Sequence, residues 1–210
     1  MRNYRIIDIE TDSRGAIDVR KDTRAILSIQ IGKPDEECEF YYKDGKKQVN
    51  LEAAARRIDE ILETDTIFIG YNVNGFDVEQ LKKLNGIEIP SERVRDLVDS
   101  KAVQKYKQLK NTPMARFEYV AKHYGIPCEH KDLMNLRSEK IAKKIQEKTP
   151  SVRDYEAKKM AYGTAVYDAY LEFIEKEDRN CDFYKYAVGD IQSEGMFFEK
   201  LVKNVDKWLE

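Results

Sequence analysis

The sequence predicts an α/β fold, a mixed central sheet flanked by helices, with a second half that is almost wholly helical. Three observations carry this. Period-two patterning of apolar residues is confined to the first hundred positions. From about residue 101 the apolar residues recur at helical spacing instead. Turn-rich stretches, SRG, KPDEE and Asn74-Gly75, separate the segments of the first half.

Residues 3–10 read as a first strand, TRAILSIQIG (23–32) as a second and CEFYY (38–42) as a third, with SRG and KPDEE as the turns between them. Asn50 is placed to cap the amphipathic helix LEAAARRIDEILE. TIFIGYN (66–72) reads as another buried strand. Asn74-Gly75 then turns the chain into the helix DVEQLKKL, with Asn74 as its expected cap, and a short strand follows near Val94–Val98. Beyond it come MARFEYVAKHYG, LRSEKIAKKIQEK, a long helical stretch after Ser151, and a last helix expected from near Asp182 to Trp208. With no repeat, low-complexity tract or linker, residues 1–210 are expected to form a single domain.

A content of 41% hydrophobic and 36% charged residues is that of a soluble globular protein. No apolar run approaches the length of a membrane helix, and Asp8 interrupts the short apolar stretch after Arg5, so neither a membrane span nor a signal peptide is expected. Cys38, Cys128 and Cys181 are widely spaced and odd in number, which suits a reducing cytoplasm. His123, Cys128 and His130 in HYGIPCEH lack a fourth ligand and a zinc-type spacing, so they read as structural. The net charge of -2 hides an uneven spread: residues 101–148 hold twelve Lys/Arg against five Asp/Glu. With Tyr106, Phe117, Tyr119 and Tyr124 interleaved, that block could be a polyanion track or simply solvated helix faces over core aromatics.

The run Ile6-Ile7-Asp8-Ile9-Glu10 is the awkward one. Side chains alternate along a strand, so Asp8 and Glu10 share one face while Ile7 and Ile9 share the other. Two carboxylates side by side repel and raise each other's pKa, a penalty that a divalent cation reverses. Hard oxygen donors suit magnesium or manganese. Such a D-x-E pair also arises by chance in a chain this rich in acids. Two further elements change its weight. GYNVNGFDVEQL (70–81) delivers Asp77 to the C-terminal end of a strand, where ligand sites of α/β sheets gather. In YKYAVGDIQSEGMFF (184–198), Tyr186 and Asp190 lie four residues apart on one helical face.

D-x-E, then N-x-x-x-F-D, then Y-x-x-x-D, in that order, resembles the three motifs of the DEDD exonucleases, whose fold is ribonuclease H-like. The tyrosine resembles the DEDDy branch, and GYN-x-x-x-FD is most similar to the proofreading exonuclease domain of B-family DNA polymerases. RDLVDSKAV (95–103) and FEYVAKHYGIP (117–127) also resemble segments of that family, so the resemblance runs from about 8 to 190. Nothing in the chain resembles polymerase motifs, and 128–180 matches no motif.

The resemblance implies a free-standing, metal-dependent 3'-5' exonuclease that hydrolyses single-stranded DNA and releases nucleoside monophosphates. Its chemistry would use two Mg²⁺ or Mn²⁺ ions roughly 3.5–4 Å apart. Asp8 would bridge both ions, Glu10 and Asp190 would hold the one that activates water, and Asp77 would support the second. Tyr186 would orient the attacking water, and Thr11, Asn72 and Phe76 would hold the terminal nucleotides. Expected partners are single-stranded nucleic acid, DNA before RNA, and replication or repair proteins. The alternatives are an exoribonuclease resembling the RNase D group, and a non-catalytic nucleic-acid-binding module that keeps the fold.

Overall fold

The computed structural model describes residues 3–43 and 49–203, with the backbone alone at 49 and 50. Strand β1 (Tyr4–Asp12) lies at the centre of a five-stranded sheet of order β3-β2-β1-β4-β5. Its neighbours are β2 (Ala25–Gly32), antiparallel, and β4 (Ile67–Gly70), parallel. The edges are β3 (Glu39–Tyr42), antiparallel to β2, and β5 (Val94–Asp96), parallel to β4. The sheet is mixed, as the sequence predicts.

One face of the sheet is a conventional apolar interface. Ile7 and Ile9 of β1, Ile29 and Ile31 of β2 and Phe68 of β4 pack against α2 (Val49–Leu62) and α3 (Asp77–Asn85) through Ala54, Ile58 and Leu81. Burying each large aliphatic of this kind stabilises the fold by about 1.5–3 kcal/mol. A one-turn helix, α1 (Val19–Asp22), lies in the β1–β2 connection.

The opposite face is split. Towards β4 and β5, Ile6, Ile67 and Ile69 pack on α4 (Lys101–Lys110), α5 (Phe117–His123) and α8 (Asp182–Phe197) through Val103, Val120 and Ile191. Towards β2, Leu27 joins an aromatic cluster shared by α6 (His130–Lys148), α7 (Asp154–Lys176) and α8, centred on Phe173 and Phe183. Between these two cores runs the polar side of β1. Close approach of α7 depends on Gly163, because a Cβ there would overlap the backbone of Ser13 just beyond β1.

Some local expectations change. β1 continues to Asp12 through a register shift between Glu10 and Thr11, a bulge that alternation alone does not reveal. Asn74 does not cap α3: the helix opens at Asp77 with Phe76 before it, and the Asn74 N–H instead donates to Asp96. Asn50 lies inside α2, and its side chain lies outside the described residues. The last helix ends at Phe197 in a π-helical turn, Phe198–Val202, and Trp208 lies outside the described residues. The three cysteines are free.

Candidate active site

Alternation along β1 sends Asp8 and Glu10 to the face that α8 crosses. There Asp190 joins them, and one carboxylate oxygen from each of the three lies within 4.8 Å of the others. The cross-strand neighbours on this face are also polar: Gln30 stands opposite Asp8 and Ser28 opposite Glu10, both wholly buried. Part of Asp8 stays open, but its Oδ2 is enclosed and has no hydrogen-bond partner.

Asp77 reaches the site by a different route. β4 pairs with β1 only over Tyr4–Ile6, so the edge of β1 is unpaired beyond that point. Asp77, the first residue of α3, closes the gap by accepting a 3.1 Å hydrogen bond from the Ile9 N–H. It is buried and lies outside the three-oxygen group, yet near enough for its charge to act on Asp8 and Glu10.

Sequence reading missed the cations. Lys131 places its ammonium 2.6 Å from the Asp190 carboxylate, and His130 Nε2 lies 3.1 Å from Asp190 Oδ1. Both residues open α6, where a helix dipole disfavours positive charge. That anomaly in CEHKDLM was the available signal. The His130 ring reaches Asp190 only because position 189 is glycine: a Cβ there would overlap the imidazole. Lys131 also lies 4.8 Å over the ring of Tyr186. The Tyr186 hydroxyl, one turn before Asp190, accepts a 3.0 Å hydrogen bond from Tyr162 on α7.

Two further carboxylates hold the loop between β4 and α3. Glu194, one turn beyond Asp190, accepts the Tyr71 N–H at 3.0 Å. Asp96, at the end of β5, accepts the N–H groups of Asn72 (2.8 Å), Asn74 (3.1 Å) and Val98 (3.0 Å). The loop is thereby fixed with Asn72 at φ 62°, a left-handed conformation that asparagine adopts more readily than most residues. Asn72 and Phe76 are half-buried, Phe76 packing on the Ile7–Ile9 core, while Thr11 is buried just past the bulge.

The electrostatics divide the acids into two groups. Burial, reinforced by their mutual repulsion, raises Asp8, Glu10 and Glu194 well above the usual carboxylate range. Asp77 rises to about 8 for the same first reason, moderated by the bond from Ile9. Burial acts on Asp190 too, but Lys131 and His130 outweigh it and hold that group below its ordinary value. Desolvation also keeps the Tyr186 phenol protonated far above its normal range.

These residues fit a divalent cation centre. The converging donors are hard oxygens, the enclosed Asp8 Oδ2 lacks any donor, and one ammonium cannot neutralise Asp8, Glu10, Asp77, Asp190 and Glu194 together. Among the described residues this is the one group of three ligating side chains so placed. His123 packs on Tyr106 and Tyr124, and His130 turns to Asp190, so the histidines and Cys128 form no zinc site.

Known proteins share the fold. A family model described as the RNase_H superfamily matches residues 6–141. The structure of the family B DNA polymerase from the hyperthermophilic archaeon Pyrobaculum calidifontis superposes with a TM-score of 0.57 at 17% identity, over 96% of this chain and 25% of the polymerase. The chain thus spans a quarter of that protein's length, and the likeness is one of fold. No curated protein matches the sequence. No helix among the described residues is long and apolar enough to cross a membrane.

Proposed function

Because the chain belongs to the ribonuclease H superfamily, we propose that it is a metal-dependent 3'-5' exonuclease of the DEDDy type, acting on single-stranded DNA and releasing nucleoside monophosphates. The observation that carries this reading is the convergence of Asp8, Glu10 and Asp190 oxygens within 4.8 Å, on the face that also carries Tyr186. A cytoplasmic setting accords with the three free cysteines.

Hydrolysis forms a bond from water oxygen to phosphorus and breaks the bond from phosphorus to the 3' oxygen. Asp8, Glu10 and Asp190, with Asp77 behind them, would hold two Mg²⁺ or Mn²⁺ ions. Such ions acidify the attacking water and stabilise the leaving oxygen. Lys131 keeps Asp190 ionised, so one ligand is ready for a cation whatever the state of its neighbours. Tyr186 stays protonated and donates or orients; it is no base in this environment. Asn72, fixed by Asp96 and flanked by the Glu194 bond to Tyr71, would hold the terminal nucleotide, with Phe76 and Thr11 lining its seat.

The test uses 5'-labelled DNA and RNA single strands of one sequence, with Mg²⁺ or Mn²⁺ and with or without chelator. A single-nucleotide ladder on DNA that chelator and Asp8→Ala each abolish is the expected result. A ladder on RNA alone identifies an exoribonuclease, and no cleavage of either strand overturns the catalytic reading. Tyr186→Phe should lower the rate about a hundredfold with metal affinity unchanged. Unaltered kinetics would remove its role.

A further inference from the structure

Outside the acidic centre the most uneven surface is residues 101–122, which hold six Lys/Arg and one Asp/Glu. The basic block of 101–148 separates here into two parts. In α6, Lys131 binds Asp190 and Arg137 binds Glu172 and Asp182 at 2.8 Å, while Lys140, Lys143, Lys144 and Lys148 are exposed with a single exposed large apolar side chain, Leu136, among them. In α4 and α5, Lys101, Lys105, Lys110 and Lys122 are exposed, and among the described residues none has an acidic partner. Arg116 touches Glu118 at 3.8 Å. The same stretch exposes large apolar side chains, with Leu109 at 65%, Met114 at 79% and Tyr119 at 54%.

Unpaired cations interleaved with exposed aromatic and thioether groups match one chemistry well, a phosphate backbone carrying unstacked bases. The patch also adjoins the centre. The Tyr71 N–H donates to Glu194 at the rim, while its hydroxyl donates to the Ala115 carbonyl at 2.7 Å and its ring packs on Phe117 at 5.0 Å. The loop 111–116 therefore lies one tyrosine side chain from the acidic site. α4 begins just past β5, at the same strand ends that carry Asp96 and Gly70.

We infer that α4, the 111–116 loop and α5 form the track on which the single strand lies as it leads into the acidic centre. Lys105, Lys110 and Lys122 contact phosphates, and Tyr119 and Met114 lie under bases. The inference rests on the exonuclease reading for its direction, while binding tests it separately.

The experiment measures fluorescence anisotropy of a labelled single-stranded DNA oligonucleotide in chelator, across a salt series, alongside hydrolysis in Mg²⁺. The triple variant K105E/K110E/K122E, altered only at exposed positions, should bind at least tenfold more weakly. Its log-log salt slope should fall by about 2, from ~0.7 per lost phosphate contact on a single strand. Hydrolysis of a dinucleotide, too short to reach the track, should be unchanged. K143E/K144E, exposed on α6, should match wild type, and Tyr119→Ala should weaken binding about fivefold at an unchanged salt slope. Wild-type affinity and salt slope in the triple variant would overturn the track. If wild type binds through these residues yet cuts nothing, the track stands and the catalytic reading falls.

Discussion

Asp8 and Asp190 face the same space and meet opposite fates. Asp190, on α8, has its counter-charge supplied by the fold, with Lys131 at 2.6 Å and His130 at 3.1 Å. Asp8, on β1, has burial and other carboxylates for company, and its Oδ2 has no donor. The helical side of the site is thus neutralised in advance, while the strand side requires a cation from solution. The two carboxylates share a motif logic but not an energetic state.

The widest separation should come from stability without metal. Asp190→Asn strands the Lys131 ammonium in a buried place, and breaking a buried pair costs about 3–5 kcal/mol. For a chain of this size that corresponds to a fall in Tm of roughly 10 °C. Asp8→Asn removes one member of a repelling group and should raise Tm by a few degrees. Calorimetry on the two variants checks this, and shifts of the same sign in both would dissolve the distinction.

A second contrast is pH dependence in chelator. Asp8, Glu10, Asp77 and Glu194 have folded values raised above their unfolded ones near 4, so the folded state holds their protons more tightly. Their contribution to stability is present below pH 4 and is lost as pH rises, for Asp77 through about 8. Asp190 acts in the other sense, stabilising above its unfolded value near 3.8 and failing as pH falls. Tm should therefore decline between pH 5 and 9 without metal, and saturating Mg²⁺ should flatten the decline. A metal-free Tm that rises over this range would show that the strand-side acids are already compensated.

The smallest effect probes what lies beneath Asp8. Gln30, directly opposite and wholly buried, donates Nε2 to Ser28 Oγ at 2.7 Å and leaves Oε1 without a partner. Two orphaned oxygens, Gln30 Oε1 and Asp8 Oδ2, thus belong to cross-strand partners. Gln30→Met should weaken Mn²⁺ affinity about tenfold, as measured by titration calorimetry, with Tm little changed. Unchanged affinity would leave Asp8 oriented by β1 alone.

Much of this was legible because it is local. Alternation in IIDIE is a property of five consecutive residues, and it correctly separates Ile7 and Ile9 from Asp8 and Glu10. The turn that brings Asp77 to the end of a strand was legible for the same reason, although Asn74 was assigned the wrong partner. Its N–H binds Asp96, a residue twenty-two positions away. Lys131 and His130 show in the sequence only as cations out of place at a helix start, and Glu194 shows not at all, because their places in the site depend on how α6 and α8 pack. Gln30 looked like any polar interruption of a strand until register put it opposite Asp8.

Gly189 carries a consequence out of proportion to its size. It touches no candidate ligand's carboxylate and carries no chemistry of its own, yet its missing methyl is the slot through which α6 reaches into the centre. Any side chain at that position would act as a wedge between two helices, lifting the imidazole away and drawing the neighbouring ammonium with it. The charge balance of the site is therefore adjustable from a position that sequence reading would file under packing. A single methyl-for-hydrogen exchange there would shift the demand for external cations with every carboxylate still in place.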